Sequence, residues 1–150
     1  MSQVFETEPI GGPDEQGAYL NMVAKVETSL DPFAFLRRCQ RIEAGALRQR
    51  IVRWGPRTLD LDLLLFGQAA LRVERPPAAR SDDPARRGVQ WLEVPHASAA
   101  ERSFVLAPLA DLAPELVPPS WHRNVAQALE RDLLPRELPL RAGAVRLAPD

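Results

Sequence analysis

Hydrophobic and polar residues alternate along the segment from Thr58 to Phe66, which reads Thr-Leu-Asp-Leu-Asp-Leu-Leu-Leu-Phe. Successive side chains of a β-strand point to opposite faces, so the alternation predicts a strand with leucines on one face and Asp60 and Asp62 on the other. We expect the leucine face to be buried and the two carboxylates to lie about 7 Å apart on a rigid support. Like charges held this close repel one another unless a cation lies between them or the pair takes up a proton.

Two further strands are predicted ahead of this segment. Residues 2–8 form a short strand-like run, and residues 19–28 alternate as expected for a half-buried strand. One face of the second strand carries four apolar residues, which are Leu20, Met22, Ala24 and Val26. The other face begins with an aromatic ring and an amide, those of Tyr19 and Asn21.

The pair Asp31 and Pro32 predicts the start of a helix, because an aspartate accepts hydrogen bonds from the first free N–H groups and proline suits the first turn. Apolar residues at helical spacing then indicate the buried stripe of this helix. The stripe contains Phe33 or Leu36, followed by Cys39, Ile42 and Ala46. Cys39 is therefore expected to be a core residue.

The sequence after the aspartates predicts short elements separated by a polar stretch. Residues 72–90 are rich in Pro, Ala, Arg and Asp and lack an apolar period, so they are predicted to be a surface insertion. A short strand is expected at residues 91–94. The apolar run at residues 104–112 predicts a short helix interrupted at Pro108, since proline has no N–H to donate.

An amphipathic helix is predicted from about His122 to Leu134. The residues of this helix expected to face inward are Val125, Leu129 and Leu133. We assign residues 1–134 to one domain and residues 135–150 to a C-terminal tail. Within that tail, residues 144–148 are suited to pair as a short edge strand.

Composition narrows the class of protein. A chain of 150 residues suits about one domain with its own core. The net charge of −1 argues against a protein that coats nucleic acid, because phosphate contacts need a basic surface. The single cysteine, Cys39, excludes an internal disulfide framework and fits a reducing compartment. Without an apolar run of roughly 20 residues or a secretory signal, we expect a cytoplasmic protein with no membrane partner.

The basic residues are arginines with the exception of Lys25. Arginine binds phosphates and carboxylates through a planar, bidentate group, although genomic base composition would produce the same bias. Paired aspartates beside arginines suit Mg²⁺ and a polyphosphate, since phosphoryl-type transfer depends on positioning and charge stabilisation. The Gly-x-x-x-x-Gly-Lys-Ser/Thr loop is absent from the sequence, so the P-loop arrangement is excluded.

The ten residues Arg53-Trp-Gly-Pro-Arg-Thr-Leu-Asp-Leu-Asp62 resemble the signature of the 6-hydroxymethyl-7,8-dihydropterin pyrophosphokinase family, which acts in folate biosynthesis. Several flanking motifs occur in the same order as in that family, which makes the resemblance more specific than a lone short pattern. These motifs are Glu6-Thr7, Tyr19-Leu20-Asn21, Gln40-Arg41-Ile42-Glu43, Val94-Pro95-His96, Arg102, Phe104 and Ala113-Pro114-Glu115-Leu116. The resemblance covers roughly residues 2–117.

The resemblance implies an α/β (α+β) fold of the ferredoxin-like type, with helices packed on a mainly antiparallel sheet. It implies transfer of pyrophosphate from ATP to 6-hydroxymethyl-7,8-dihydropterin, which releases AMP. Asp60 and Asp62 would hold two Mg²⁺ ions that bridge the triphosphate. Arg48 and Arg57 would stabilise charge during transfer, and Arg50 would assist on the phosphates.

The resemblance also implies how two small-molecule substrates bind. Tyr19 and Phe104 would sandwich the pterin ring, Asn21 and the region of Thr7 would bind its hydrogen-bonding edge, and Trp54 would add to the same site. The other implied nucleotide-binding residues are Gln40, Glu43, His96 and Arg102. From the residues alone, an aromatic ring beside an amide suits a flat heterocycle with several donors and acceptors.

Each candidate residue also has a purely structural interpretation. An Asp-x-Asp pair on a strand is often a solvated face, and isolated aromatics such as Tyr19 and Phe104 are often core residues. His96 follows a proline and fits a loop histidine. Glu43 lies near arginines and fits a surface ion pair worth under about 1 kcal/mol.

Family members normally have a strand and a helix before the segment that resembles residues 2–9, and this sequence lacks that unit. Three explanations stay open: the protein begins upstream, residues 144–148 or another chain replace the strand, or the chain is a degenerate copy. The alternative function is therefore a truncated, non-catalytic protein that binds pterin or nucleotide, or an interaction protein. We expect a monomer, with a protein partner only if the missing strand is supplied in trans.

Overall fold

The computed structural model describes residues 1–7, 18–46, 59–81, 88–133 and 145–147. The strands in these ranges are β1 (Phe5–Thr7), β2 (Tyr19–Asn21), β3 (Leu71–Glu74), β4 (Trp91–Val94) and β5 (Val145–Leu147). The helices are α1 (Pro32–Gly45), α2 (Ser103–Leu112) and α3 (Val125–Leu133). The strands pair antiparallel in two sheets, β2-β1-β5 and β3-β4, which confirms the predicted mixture of helices and antiparallel strands.

β1 is the middle strand of the three-stranded sheet. Phe5 pairs with Asn21 of β2 on one side and with Leu147 of β5 on the other. The edge strand expected within residues 144–148 is therefore confirmed, and β5 joins this part of the predicted tail to the sheet.

The strand predicted over residues 19–28 is too long, because the described strand ends at Asn21. Its buried face is also the opposite of the predicted one. Leu20 is 68% exposed and Met22 is 44% exposed, whereas Val23 packs against the cluster formed by α2 and α3. The cause is tertiary, since α2 contacts β1 and β2 and covers the face that carries Val23.

The two-stranded sheet contains one predicted and one unpredicted strand. β4 is the expected short strand, and β3 pairs with it so that Leu71 lies opposite Val94. All of β3 except Leu71 falls within residues 72–90, for which the composition predicts only a surface insertion. Ala79 lies in the same range and is completely buried. The prediction of a surface insertion misses both the strand and the buried alanine. The segment is ordered by its pairing with β4 and by tertiary packing, although its own sequence shows no apolar period.

Helix α1 begins as predicted. Oδ1 of Asp31 accepts hydrogen bonds of 2.9 Å from two N–H groups of the first turn. The predicted buried stripe is confirmed at Leu36 and wrong at Ile42, which is 48% exposed, and it missed the buried Glu43. Apolar spacing favours Ile42 for the interior. The buried face of the helix instead carries Glu43, whose carboxylate accepts a hydrogen bond from the backbone of another segment.

α2 and α3 pack against each other around a shared cluster. The buried residues of this second core cluster are Leu106, Leu109, Val125 and Ala128. α2 runs through Pro108 without the predicted interruption, because the burial of Pro108 offsets the hydrogen bond that its nitrogen cannot donate. Asn124 and Gln127 cap α3 reciprocally, and the Gln127 N–H donates to Asn124 Oδ1 at 2.9 Å. Among the described residues, no helix combines the length and apolar character needed to cross a membrane.

Residues 59–66 connect two hydrophobic clusters. The first core cluster has the buried residues Leu36, Ala79, Leu92 and Val94. Leu63 and Phe66 pack against this first cluster, whereas Leu65 packs against the second. The segment that carries both candidate metal residues is therefore held by side chains on two sides.

The predicted strand at residues 58–66 is wrong for its described part, because residues 59–66 have no strand assignment. The alternation itself is present, since Asp60 and Asp62 are exposed and the intervening Leu61 is half-buried. Backbone groups of this segment form hydrogen bonds with other parts of the protein instead of with a neighbouring strand. The carbonyl of Leu64 accepts from the N–H of His96 at 2.8 Å, and the N–H of Leu61 donates to a side chain.

Candidate functional site

Asp60 and Asp62 line an open cleft, which we call the acidic cleft. Both aspartates are exposed. The walls are formed by α1, by β4 and by the turn after β4, and they include Leu36, Gln40, Glu43, Leu92, Glu93 and His96. The structure thus brings three of the predicted nucleotide-binding residues to the two predicted metal ligands.

Glu43 occupies the floor of the acidic cleft with only 4% of its surface exposed. Its Oε1 accepts a hydrogen bond of 2.8 Å from the backbone N–H of Leu61. A carboxylate this buried is stable only if hydrogen bonds replace the lost water. Since Leu61 lies between Asp60 and Asp62, this bond links α1 to the backbone that carries both acids.

His96 and Gln40, which the sequence assigns to nucleotide binding, also line the acidic cleft. The backbone N–H of His96 donates to the carbonyl of Leu64 at 2.8 Å, which fixes the turn after β4 beside residues 59–66. Its ring Nδ1 accepts from the N–H of Ser98 at 3.3 Å, so Nε2 is the ring nitrogen available to a ligand. Gln40 donates from Nε2 to the carbonyl of Ala79 at 3.2 Å and thereby joins α1 to the segment after β3.

Three of the predicted pterin-binding residues lie together on β1 and β2. The Asn21 side-chain amide donates to Oγ1 of Thr7 at 2.7 Å. Tyr19 is directly opposite Thr7 in the antiparallel register, so these side chains share one face of the sheet. The hydrogen bond to Thr7 orients the Asn21 amide, which leaves its oxygen free of that bond and able to accept from a ligand.

Phe104 and Arg102 lie at the start of α2 and are not among the residues that line the acidic cleft. Phe104 is half-buried, and the guanidinium carbon of the exposed Arg102 lies 5.7 Å from the centre of its ring. α2 contacts β1 and β2, so the elements that carry Phe104 and Tyr19 are neighbours. Arg102, which the resemblance assigns to nucleotide binding, therefore lies against Phe104 and is not among the residues that line the acidic cleft.

Four predicted residues lie outside the described residues: Arg48, Arg50, Trp54 and Arg57. Their roles stay predictions.

Sequence reasoning missed part of the cleft wall. The missed residues are Arg75, Ser81, Trp91 and Glu93. Arg75 donates from Nε to the carbonyl of Trp91 at 2.9 Å, and the guanidinium of Arg72 lies 4.4 Å from the centre of the Trp91 ring. These residues meet in the cleft through the pairing of β3 with β4, which the sequence pattern does not indicate.

The donor set of the acidic cleft fits Mg²⁺. Among the described residues, no group of three or more His, Cys, Asp and Glu side chains is arranged to hold a metal ion. Mg²⁺ is usually bound by one or two carboxylates, with water and substrate phosphates completing its shell. Asp60 and Asp62 supply such a pair of oxygen ligands on an exposed surface.

Cys39 is half-buried on α1, close to the cleft. Burial raises the pKa of its thiol, and the negative charge of Glu43 raises this pKa further. A thiol with a raised pKa is mainly protonated at neutral pH and reacts slowly, since the thiolate is the nucleophile.

We predict that the alkylation rate of Cys39 by iodoacetamide rises with pH through a midpoint above that of free cysteine. In Glu43→Gln the midpoint should fall, because the second cause of the raised pKa is removed. Mass spectrometry of samples quenched over a pH series measures both midpoints. A midpoint equal to that of free cysteine in the wild type would contradict the prediction, and Glu27→Gln is the charge-matched control at an exposed position.

The sequence was compared with known protein families and characterised proteins. A model of the family described as 7,8-dihydro-6-hydroxymethylpterin-pyrophosphokinase matches residues 1–114. This range contains every candidate site residue.

Two similar proteins are each named 2-amino-4-hydroxy-6-hydroxymethyldihydropteridine pyrophosphokinase. The one from Bacillus subtilis is 41% identical over 116 residues, which are 77% of this chain and 59% of that protein.

The second protein of that name, from Pseudomonas aeruginosa, is 42% identical over 116 residues, which are 77% of this chain and 61% of that protein. A larger protein from Schizosaccharomyces pombe, named folic acid synthesis protein fol1, is 36% identical over 131 residues, which are 87% of this chain and 16% of that protein. This chain therefore spans about three fifths of the length of the bacterial relatives.

Proposed function

Because the chain belongs to the 7,8-dihydro-6-hydroxymethylpterin-pyrophosphokinase family, we propose that it transfers pyrophosphate from ATP to 6-hydroxymethyl-7,8-dihydropterin. The products are AMP and the pterin diphosphate. The observation that carries the proposal is the meeting of Asp60 and Asp62 with Gln40, Glu43 and His96 in the acidic cleft. These residues come from separated parts of the chain. If Asp60 and Asp62 were only a solvated surface, there would be no reason for the other three residues to lie beside them.

In this proposal the acidic cleft holds the triphosphate of ATP. Asp60 and Asp62 would hold two Mg²⁺ ions, which would supply charge neutralisation and Lewis-acid polarisation at the phosphates. Each aspartate contributes carboxylate oxygens from an exposed position, so neither has to leave a packed core to reach a ligand. Arg48 and Arg57 stabilise the charge that develops during transfer, and Arg50 assists on the phosphates, because guanidinium groups match phosphate oxygens in a bidentate manner.

The pterin is proposed to bind at the face of β1 and β2. Tyr19 and Phe104 stack on its two faces, with Trp54 nearby, and Asn21 binds its polar edge together with the region of Thr7, whose buried side chain holds the Asn21 amide. The hydrogen bond between Asn21 and Thr7 supports this assignment, because it holds the amide ready before the ligand arrives. The predicted ferredoxin-like arrangement of the whole domain belongs to the same proposal, as do action as a monomer and small molecules as the only substrates.

Tyr19→Ala should weaken pterin binding by about 5- to 150-fold, since stacking of a flat ring on an aromatic side chain is worth about 1–3 kcal/mol. Affinity for an ATP analogue with Mg²⁺ should stay within about threefold, as Tyr19 does not line the acidic cleft. Calorimetric titration with each ligand measures the two affinities. Leu20→Ala is the matched control, because Leu20 is the next residue and is 68% exposed. Equal losses in both variants would count against the pterin site.

The experiment that tests the proposed function is a product assay of the purified chain with ATP, Mg²⁺ and the pterin alcohol. We expect AMP and pterin diphosphate in equal amounts, resolved by chromatography. ADP in place of AMP would show that a single phosphoryl group moves and would overturn the assignment. Ternary binding without any product would favour the non-catalytic alternative.

A further inference from the structure

We propose that Glu43 is a positioning residue that holds the metal-binding segment in place, and that it is not itself a ligand of the metal or the nucleotide. This inference rests on the proposed function, since it concerns the same acidic cleft. It differs from the role that the resemblance implies, in which Glu43 contacts the nucleotide.

The burial of Glu43 is the first observation. Glu43 is 4% exposed, whereas Asp60 and Asp62 are both exposed in the same cleft. Glu43 also forms no group of three acids with them that is arranged to hold a metal ion, as judged among the described residues. A ligand to a hydrated cation and a polyphosphate needs access to them, and Glu43 has very little.

The hydrogen bond to Leu61 is the second observation. Oε1 of Glu43 accepts from the backbone N–H of Leu61 at 2.8 Å, and Leu61 is the residue between the two aspartates. A hydrogen bond at this one amide therefore constrains the backbone on both sides, from which the two carboxylates project.

The backbone around Leu61 needs this support. Residues 59–66 have no strand assignment, so no ladder of described hydrogen bonds aligns them. Hydrogen bonds that join this backbone to other elements include the one from the Leu61 N–H to Glu43 and the one from the His96 N–H to the carbonyl of Leu64. The Leu64 bond lies beyond Asp62, whereas the Glu43 bond holds the backbone between the two aspartates.

The consequence for binding follows from the cost of ordering ligands. Two carboxylates on a mobile backbone must be immobilised when the cation binds, and that loss of freedom reduces affinity. A group outside the coordination shell that orients the ligands is typically worth 10- to 100-fold in metal affinity. We expect an effect of this size from Glu43.

Two conservative variants separate positioning from charge. Glu43→Gln keeps a side-chain oxygen at the right reach for the Leu61 N–H but removes the charge. Glu43→Asp keeps the charge but draws the carboxylate back by about 1.5 Å, which takes it past the usual hydrogen-bond limit of about 3.2 Å. If Glu43 is a positioning residue, Glu43→Asp is the more damaging of the two substitutions.

Mn²⁺ with a non-hydrolysable ATP analogue is the probe, and the bound Mn²⁺ is measured by electron paramagnetic resonance. We expect Glu43→Asp to bind 10- to 100-fold more weakly and Glu43→Gln to stay within about threefold of the wild type. The charge-matched control is Glu27→Gln, an exposed position outside the cleft. The reverse order, with Glu43→Gln weak and Glu43→Asp near the wild type, would overturn the proposal, as would equal binding in all the variants.

Hydrogen exchange of the Leu61 amide gives a second readout that needs no metal. Exchange should quicken at least about tenfold in Glu43→Asp and stay slow in Glu43→Gln. In Asp62→Asn, Mn²⁺ binding should be lost while exchange at Leu61 stays slow. If Glu43→Asp does not fold, Glu43→Gln still tests the proposal. Loss of Mn²⁺ binding in Glu43→Gln would show that Glu43 acts through its charge and would overturn the positioning role. A wild type that binds no Mn²⁺-nucleotide would instead overturn the proposed function and the inference together.

Discussion

Asp62→Asn is expected to reduce AMP formation by about 1,000-fold or more at saturating substrates, while leaving the fold intact. The substitution replaces one carboxylate oxygen by an amide nitrogen, so a metal ligand and its charge are lost without a change of shape. Charge stabilisation by a metal at a phosphoryl oxygen is worth several kcal/mol, and about 1.4 kcal/mol corresponds to a tenfold change in rate. A coupled assay for AMP measures the loss.

The fold of Asp62→Asn should be preserved because Asp62 is exposed, and surface substitutions usually change stability by less than about 0.5 kcal/mol. Glu130→Gln, on the exposed side of α3, removes the same charge far from the acidic cleft and should retain wild-type turnover. Turnover of Asp62→Asn within about twofold of the wild type would refute the assignment of the cleft. Pterin affinity should hardly change, since the proposed pterin residues lie on other elements.

Leu106→Ala should lower the free energy of unfolding by about 2–5 kcal/mol, the usual cost of truncating a buried leucine. Leu106 has no exposed surface and belongs to the second core cluster. That cluster receives Val23 from the segment after β2 and Leu65 from the segment after the aspartates. The cavity would therefore weaken the junction between the three-stranded sheet, the two C-terminal helices and the segment that carries the proposed metal ligands.

Urea unfolding followed by circular dichroism measures the loss in Leu106→Ala. Leu20→Ala removes the same atoms from a side chain that is 68% exposed, and it should cost less than about 0.5 kcal/mol. Similar losses in the two variants would mean that the second core cluster is not the stabilising core of this domain.

The elements that were predicted correctly depend on neighbours in the chain. Asp31 and Pro32 mark the start of α1 because capping involves N–H groups only two and three residues away. β4 was recognisable from four residues before a proline. The ten-residue motif around Asp60 and Asp62 likewise indicated the family, since a motif of consecutive residues can be recognised without the tertiary structure.

The errors have a common cause, which is contact with a distant part of the chain. Apolar spacing placed Ile42 inside, yet the amide of Leu61 draws Glu43 inward instead. Alternation predicted a strand at the aspartates, yet Glu43 and His96 take the hydrogen bonds at Leu61 and Leu64.

Tertiary packing also overrode the pattern in two other elements. Apolar residues predicted that Leu20 is buried, yet α2 covers the opposite face of β2. β3 was missed because its pairing with β4 supplies the order that its own four residues do not specify.

From the order of its residues alone, this chain specified its class of elements, the boundaries set by caps and prolines, and the pair of aspartates that identifies its family. Folding in three dimensions then selected which faces are buried and which side chains meet at the acidic cleft. The reason is physical: periodicity and capping act over a few residues, whereas burial and hydrogen-bond pairing depend on which distant segment comes to cover each surface.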